Sequence, residues 1–238
     1  MKKAIIIGAS SGIGRELAKV LSQAGYVLGL AGRRSNLLAE LQKELPNESF
    51  VKYIDVSQTE KAMVSVNELF SDMNDVDLVI ISSGVGFINS ELQWPQEKET
   101  IDVNVSGFAA MANVVMRYFL QKGSGHLLGI SSIAAIRGDG SAPAYNASKA
   151  FISNYLEGLR HKGIKSGLPI TITDIQPGFV DTAMAKGEGQ FWVASPQKAA
   201  TQIFNAIRKK KNHAYITKRW KVIGWALKTI PDFLYNKL

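Results

Sequence analysis

The sequence predicts an α/β fold, a doubly wound parallel β-sheet flanked by helices, and three observations support this prediction. Seven short runs rich in Ile, Val and Leu alternate with longer stretches of helical periodicity. The connections between them are short, which is typical of strand–helix–strand units with parallel strands. A glycine-rich segment follows the first apolar run and leads into the first helical stretch. This order is typical of nucleotide-binding sheets.

The elements follow one another without an internal repeat or a linker. Strands are expected at residues 4–7, 27–31, 50–55, 78–82, 125–131, 170–176 and 213–217. Helices are expected at about 13–24, 35–45, 58–72, 98–121, 143–163 and 196–210. With 238 residues, of which 46% are hydrophobic, the chain can bury a large core. We therefore expect a single domain over residues 1–238.

Composition excludes several classes of protein. Cysteine is absent, which rules out disulfides and thiolate metal sites and suits the reducing cytoplasm where we expect the protein. The three histidines are scattered along the sequence, so no metal site is expected. No apolar run approaches the roughly 20 residues of a transmembrane helix. The early apolar run ends at Gly8, too soon for a signal peptide.

The net charge of +8 is confined to the C-terminal segment, residues 208–238. This segment contains nine Lys and Arg and a single acid, Asp232, whereas the charges of residues 1–207 cancel. Trp220 and Trp225 lie among these cations, so the segment could rest on anionic lipid as a basic amphipathic element. The alternative, which we favour, is that its apolar side caps a cleft or packs on another subunit and leaves the lysines in water. Nucleic-acid binding is not expected, because no recognition module accompanies the charge.

The glycine-rich segment has the properties of a phosphate-binding loop. Glycines at this turn let the backbone bend sharply and approach a pyrophosphate closely, and the helix that follows adds its positive N-terminal end. The spacing is GxxxGxG, wider than the common GxGxxG. The candidate binding residues are Gly8, Ser10, Ser11, Gly12, Ile13 and Gly14.

A second group of residues predicts proton-transfer chemistry. Tyr145 and Lys149 are four residues apart and share one face of a predicted helix. The lysine ammonium would lower the pKa of the phenol, and Ser132, at a strand end, could hold a carbonyl or alcohol oxygen against it. Tyr118 and Lys122 have the same spacing, but no serine lies thirteen residues before Tyr118, so this pair is interpreted as structural.

Together these motifs resemble the short-chain dehydrogenase/reductase family, whose members have a Rossmann-type fold. Residues 8–14 resemble its cofactor loop, residues 145–149 its YxxxK motif, and Ser132 its serine. Asn104 matches the asparagine of the family's catalytic tetrad. The resemblance covers residues 1 to about 182. It implies hydride transfer between a nicotinamide and a carbonyl/alcohol pair, with Tyr145 as the acid/base.

The resemblance also implies further cofactor contacts. The second strand is followed by Arg33 and Arg34 instead of an acid, which favours a 2′-phosphate and therefore NADP(H) over NAD(H). Arg33 is the first candidate for this phosphate, and Arg34 and Ser35 are weaker candidates. Alternatively, the two arginines are solvated residues opening a helix. The remaining candidates are Asp55, Val56, Ser83, Gly84, Asn104, Tyr145, Lys149, Pro177, Gly178, Val180 and Thr182. The alternative for Asp55 is a helix N-cap. The alternative for the turn at Pro177 and Gly178 is a simple strand end. The family's Asn-Asn-Ala-Gly is replaced here by residues 81–84, Ile-Ser-Ser-Gly.

Substrate contacts are expected from Ser132, Tyr145, Phe179, Phe191 and Trp192, with residues 183–195 as a loop over an apolar substrate. Packing of the two aromatics on the core is the alternative. The resemblance also implies a homodimer or homotetramer. Two other functions remain open, namely a non-catalytic NADP-binding sensor or scaffold, and a membrane-surface or nucleic-acid-binding protein acting through residues 208–238.

Overall fold

A computed structural model of the chain describes residues 1–182 and 191–236, with seven parallel strands in one sheet and helices on both faces. The strands are β1 (Lys3–Ile7), β2 (Val27–Gly32), β3 (Ser49–Tyr53), β4 (Leu78–Ile81), β5 (Gly125–Ile130), β6 (Ile170–Pro177) and β7 (His213–Ile216). Their order is β3-β2-β1-β4-β5-β6-β7, so the direction of winding reverses between β1 and β4. The predicted fold class is confirmed.

The helices are α1 (Gly12–Gln23), α2 (Ser35–Glu44), α3 (Thr59–Met73), α4 (Trp94–Ile101), α5 (Phe108–Lys122), α6 (Pro143–Lys165), α7 (Pro196–Arg208), α8 (Trp220–Thr229) and α9 (Asp232–Tyr235). A short 3₁₀ turn spans Ile133–Ala135. Local sequence sets several of these boundaries. Prolines occupy the first helical turns of α6 and α7, where their missing N–H is not needed. Gly123, at φ 86°, ends α5 in the left-handed conformation.

The core lies on both faces of the sheet because side chains alternate along each strand. In β1, Ile5 and Ile7 pack against the face covered by α3, α5 and α6, whereas Ala4 and Ile6 pack against the face covered by α1, α2 and α7. These strand residues have no measurable exposure. The continuous apolar strands of the sequence are therefore explained by burial on both faces.

The predicted helix at 98–121 is divided into two. A π-helical turn, Asp102–Gly107, separates α4 from α5. A Cβ on Gly107 would lie 2.7 Å from the carbonyl oxygen of Val56, so this turn packs backbone to backbone on the chain after β3. Asn104 lies within the turn. π-helical turns of this kind are often found at functional sites.

All seven strands run in the same direction, so their carboxyl ends form one edge of the sheet. In open sheets of this class the ligand crevice lies beyond that edge, near the point where the winding reverses. Within the described parts of the chain, no helix is both long and apolar enough to cross a membrane.

Candidate active site

The loop after β1 depends on glycine at three positions, because of backbone conformation at Gly8 and Gly12 and because of lack of space at Gly8 and Gly14. Gly8 and Gly12 have φ of 97° and 55°. A Cβ on Gly8 would lie 2.5 Å from the amide nitrogen of Ser83, and a Cβ on Gly14 would lie 2.1 Å from the carbonyl oxygen of Gly8. The loop is thus packed tightly between β4 and the start of α1, leaving its outer side and the helix N-terminus open to an anion. This cradle fits the pyrophosphate of a dinucleotide.

Arg34, rather than Arg33, contacts the glycine loop. Its guanidinium donates to the Ser10 hydroxyl from Nη2 at 2.8 Å and from Nε at 3.2 Å, and to the Ser11 hydroxyl at 2.6 Å. Arg33 is exposed beside it. Both arginines are exposed and Arg34 directly precedes α2, as the alternative of solvated residues opening a helix expects, but Arg34 also binds the glycine loop. Two cations and two hydroxyls form a site of the right charge for a phosphate.

Asp55 forms a local turn after β3. Its carboxylate accepts from the Ser57 amide at 3.1 Å and the Ser57 hydroxyl at 2.7 Å. Helix α3 begins later, at Thr59, so the alternative of a helix N-cap is wrong. Val56 is buried beneath the π-helical turn.

The remaining cofactor candidates lie along the same edge of the sheet. Ser83 and Gly84 lie in the loop after β4, and the Ser83 backbone packs against Gly8. The Ser83 hydroxyl oxygen is buried without a hydrogen-bond partner in the described parts of the chain. From the turn after β6, Thr182 approaches the glycine loop, where a Cβ on Gly12 would lie 3.2 Å from its methyl group. The structure therefore brings together the loops after β1, β4 and β6.

Ser132, Tyr145 and Lys149 meet at the end of β5. Ser132 accepts a hydrogen bond from the Ala134 amide at 3.1 Å, which fixes its hydroxyl at the start of the 3₁₀ turn. The Ser132 hydroxyl lies near the Tyr145 phenol, where it acts to lower the pKa of that phenol. One turn further along α6, the Lys149 ammonium donates to the Ile130 carbonyl at 3.1 Å and lies 5.6 Å from the centre of the Tyr145 ring. The three side chains form one cluster, as their spacing predicted.

The electrostatics of this cluster differ from the prediction. Burial raises the pKa of Tyr145 above its ordinary value, and the nearby Ser132 hydroxyl only partly opposes this effect. Burial also lowers the pKa of Lys149 to about 8, although the carboxylate of Asp174 acts in the opposite direction. Among the protein's own groups, burial of the phenol has the largest effect on its pKa, so the pKa is raised where the sequence predicted a lowering by Lys149. Tyr145 therefore holds its proton at neutral pH.

Asn104 is fully buried, and its side chain braces the loop after β4. Its amide oxygen accepts from the Val85 amide at 2.9 Å, and its amide nitrogen donates to the Val85 carbonyl at 2.8 Å. The same nitrogen donates to the Ser148 hydroxyl at 3.0 Å, in the residue preceding Lys149. Asn104 thus ties the loop after β4 to the helix that contains Tyr145 and Lys149.

Asp174, in β6, was not singled out by sequence reasoning. Its side chain is buried and accepts hydrogen bonds from the hydroxyl of Ser131, from the hydroxyl of Ser153 at 2.6 Å and from the amide of Gln176 at 3.2 Å. Ser131 precedes Ser132, and Ser153 lies one turn after Lys149. The signal in the sequence is the one charged residue of a buried strand, since a carboxylate is rarely buried without partners.

An aromatic wall, formed by Phe179, Phe191, Trp192 and Trp220, stands beside the turn after β6. The Trp220 ring lies 5.4 Å from that of Phe179, 5.1 Å from that of Phe191 and 6.1 Å from that of Trp192, measured between centroids. Trp220 is 3% exposed and caps the turn at Gly178. For this residue the alternative of a lipid interface is wrong, and the alternative of packing within the protein is observed. Phe191 and Trp192 remain about half exposed. The rest of the predicted loop, residues 183–190, lies outside the described residues.

Tyr118 and Lys122, the second pair with YxxxK spacing, have structural contacts at the other end of the sheet. The Tyr118 ring stacks on Phe70 at 3.9 Å, and its hydroxyl accepts from the Val76 amide at 2.9 Å. Lys122 binds the Val76 carbonyl and forms an ion pair with Asp75 at 2.7 Å. In residues 1–182 and 191–236, no three His, Cys, Asp or Glu side chains group in a way that could hold a metal ion.

A nucleotide-type cradle and a Ser–Tyr–Lys cluster on one edge of a parallel sheet define the class of dinucleotide-dependent dehydrogenases. The model of the short chain dehydrogenase family matches residues 2–191. The chain belongs to this family of oxidoreductases, as the motifs predicted.

Relatives and solved structures agree with this assignment. An uncharacterized oxidoreductase of Myxococcus xanthus is 35% identical over 77% of this chain and 74% of its own length. One of Mycobacterium tuberculosis is 30% identical over 90% of this chain and 88% of its own. An alcohol dehydrogenase from the archaeon Thermococcus sibiricus, complexed with 5-hydroxy-NADP, has a TM-score of 0.79 at 25% identity, covering 90% of this chain and 95% of its own. A short-chain dehydrogenase from Sphingobium yanoikuyae in complex with NADPH has a TM-score of 0.81 at 19% identity, covering 98% and 97%, and shows the shared fold.

Proposed function

We propose that the protein is an NADP(H)-dependent oxidoreductase that interconverts a carbonyl and a secondary alcohol, with Tyr145 as the general acid and base. The observation that carries the proposal is the cluster of Ser132, Tyr145 and Lys149 on the sheet edge that also holds the glycine cradle. A bound nicotinamide dinucleotide would supply the hydride to the carbonyl carbon.

Tyr145 would protonate the carbonyl oxygen as that carbon is reduced. Because its pKa is raised, the phenol is protonated at neutral pH and ready to act as an acid. Ser132 would donate a hydrogen bond to the same oxygen and hold it beside the phenol. Lys149 would return a proton toward Tyr145 and stabilise the phenolate left behind. Asn104 would keep the loop after β4 and helix α6 in register during this exchange.

NADP(H) is favoured over NAD(H) by the charge beside the glycine loop. A 2′-phosphate there would meet Arg34, which already bonds Ser10 and Ser11, and the exposed Arg33. An acid that would suit a free ribose hydroxyl is absent from this strand end in the sequence. The dinucleotides named for two structural neighbours, NADPH and 5-hydroxy-NADP, support the same choice.

The substrate end of the site is the aromatic wall. Phe179, Phe191 and Trp192, packed around the buried Trp220, favour a carbonyl compound with an apolar body, since such rings offer surface without charge. We expect Phe179, Phe191 and Trp192 to contact it. The predicted loop 183–195 would close over this compound. We further propose that residues 1–238 form a single domain.

Deuterium transfer tests the reaction directly. The protein is incubated with NADPH deuterated at C4 of the nicotinamide and a panel of aliphatic, aromatic and steroidal ketones, and the alcohols are analysed by mass spectrometry. We expect one deuterium on the carbinol carbon of at least one product. NADPH binding without any labelled alcohol across the panel would instead support a sensor or scaffold.

A further inference from the structure

The C-terminal segment leaves an apolar surface without a partner among the described residues. Val222, Trp225, Phe233 and Leu234 are 67%, 68%, 68% and 44% exposed. Val222 and Trp225 are three residues apart in α8 and share a face of that helix. Single exposed apolar residues are common, but four within thirteen residues indicate a contact surface.

The same segment presents cations around these side chains. Lys218, Arg219, Lys221 and Lys228 are all exposed. Within the described parts of the chain, none of them has an ion pair. The segment's one acid, Asp232, is already paired with Arg137 at 2.7 Å. The surface therefore carries an uncompensated positive charge.

The inward side of the segment is anchored to the rest of the protein. Trp220, at the start of α8, packs on Gly178. In α9, the Tyr235 hydroxyl donates to the Gly138 carbonyl at 2.6 Å, and the Arg137 guanidinium lies 4.3 Å from the centre of the Tyr235 ring. Because these contacts fix α8 and α9 against the domain, the exposed side chains belong to an ordered surface.

We propose that this basic apolar surface, formed by Val222, Trp225, Phe233, Leu234 and the four cations, binds a bilayer containing anionic phospholipid. Trp and Phe favour the headgroup boundary, and Lys and Arg are attracted to its negative charge. A second copy of the chain would bring two positive surfaces together, which opposes self-association. A nucleic acid would satisfy the cations but leave the aliphatic side chains in water.

The surface adjoins the aromatic wall of the site. The Arg219 guanidinium lies 5.9 Å from the centre of the Trp192 ring, and Trp220 connects that wall to α8. An apolar substrate dissolved in the bilayer would therefore be close to the site entrance. Binding to the bilayer itself does not depend on the proposed reaction and is measured without cofactor or substrate.

Co-sedimentation of the full chain with sucrose-loaded vesicles tests the proposal. We expect binding to phosphatidylcholine vesicles that contain phosphatidylglycerol, little binding to phosphatidylcholine alone, and weaker binding at higher salt. The pair Lys218→Gln/Lys221→Gln should weaken binding roughly 25-fold, at about fivefold for each cation. Lys162→Gln/Lys165→Gln, exposed cations of α6, is the matched control and should leave binding unchanged.

The apolar half is tested by Trp225→Ser against Trp94→Ser, a tryptophan 64% exposed on α4. Only the first should weaken vesicle binding, with circular dichroism confirming that both fold. If Trp225→Ser does not fold, the lysine pair decides the question alone. Equal binding to neutral and anionic vesicles would overturn the proposal. The proposal would also be overturned if the protein did not bind anionic vesicles and instead used the lysine pair or Trp225 to bind duplex DNA or RNA, or to dimerise.

Discussion

The indole ring of Trp220 lies directly over the Cα of Gly178. A Cβ built on Gly178 would be 1.9 Å from Cε2 and 2.0 Å from Nε1 of that ring. The backbone of Gly178 is outside the left-handed region, so glycine is needed here for space. The contact joins the C-terminal segment to the turn after β6 and builds the back of the aromatic wall.

Gly178→Ala and Trp220→Ala should therefore be strongly coupled. Alone, Gly178→Ala should cost about 1–3 kcal/mol of unfolding free energy, because its methyl group overpacks the indole. In the Trp220→Ala background the same change should cost almost nothing. Urea unfolding of the four proteins measures the coupling. Gly138→Ala, where a Cβ meets nothing within 4 Å, is the control, and additive effects would contradict this packing.

Arg33→Asp should raise the Kd for NADPH by about tenfold or more, since a hydrogen bond from a charged donor to phosphate is lost and a like charge is introduced. The Kd for NADH should change little. Arg34→Ala is the comparison, because loss of its bonds to Ser10 and Ser11 should weaken both dinucleotides. Titration of each variant with both cofactors gives the ratio of the Kd for NADPH to the Kd for NADH. An unchanged ratio for Arg33→Asp would assign the 2′-phosphate to Arg34 alone.

Asp174→Asn should shift the alkaline limb of the pH–kcat profile to lower pH. The carboxylate raises the pKa of Lys149, so its removal should lower that pKa below its value of about 8 and leave less ammonium at alkaline pH. Ser153→Ala removes one hydrogen bond to the Asp174 carboxylate but keeps the charge of that carboxylate. The alkaline limb of the Ser153→Ala profile should therefore stay at the wild-type pH. Superimposable profiles for wild type and Asp174→Asn would exclude this electrostatic role.

Lys149→Met should stabilise the protein while abolishing turnover. Burial lowers the pKa of Lys149 from 10.5 to about 8, so the charged form destabilises the fold by up to about 3 kcal/mol at every pH below 8. That cost disappears as the pH rises from about 8 to 10.5, because the amine is then neutral in both states. The lost hydrogen bond to Ile130 offsets part of the gain, by about 1 kcal/mol.

Thermal unfolding as a function of pH measures this difference. The advantage of Lys149→Met over wild type should be largest below pH 8 and should shrink above it. The exposed Lys162 on the same helix provides the control, since Lys162→Met should show no such pH dependence. A variant less stable than wild type at neutral pH would show that the ammonium is stabilised by its surroundings.

The sheet and the reactive cluster could be predicted from the sequence because their signals are local. Apolar strands, helical periodicity, the Gly8 turn and the four-residue spacing of Tyr145 and Lys149 each depend on residues close together in the chain. The bounds of the seven predicted strands agree with those observed to within about two residues. The resemblance to the family then indicated which residues belong to one site, namely the glycine loop, Asn104, Ser132, Tyr145 and Lys149.

Features created by distant contacts could not be predicted in this way. The π-helical turn that contains Asn104 is accompanied by hydrogen bonds of Asn104 to Val85 and by the close packing of Gly107 on Val56. The sequence could not show that Arg34, and not Arg33, contacts the glycine loop, because this depends on which side chain reaches Ser10 from the end of the neighbouring strand. For Trp220 the sequence left a lipid interface and packing on the protein as alternatives, and only the structure shows that its ring fills the space above Gly178.

The central claim is that Tyr145 supplies the proton, and a pair of tyrosine variants tests it most directly. Tyr145→Phe and Tyr118→Phe each remove one hydroxyl from a YxxxK sequence, but only the first lies beside Ser132. We predict that Tyr145→Phe lowers kcat for ketone reduction by roughly 10²–10⁴-fold with NADPH binding retained, whereas Tyr118→Phe keeps its turnover. Turnover of Tyr145→Phe within a few-fold of wild type would contradict the account.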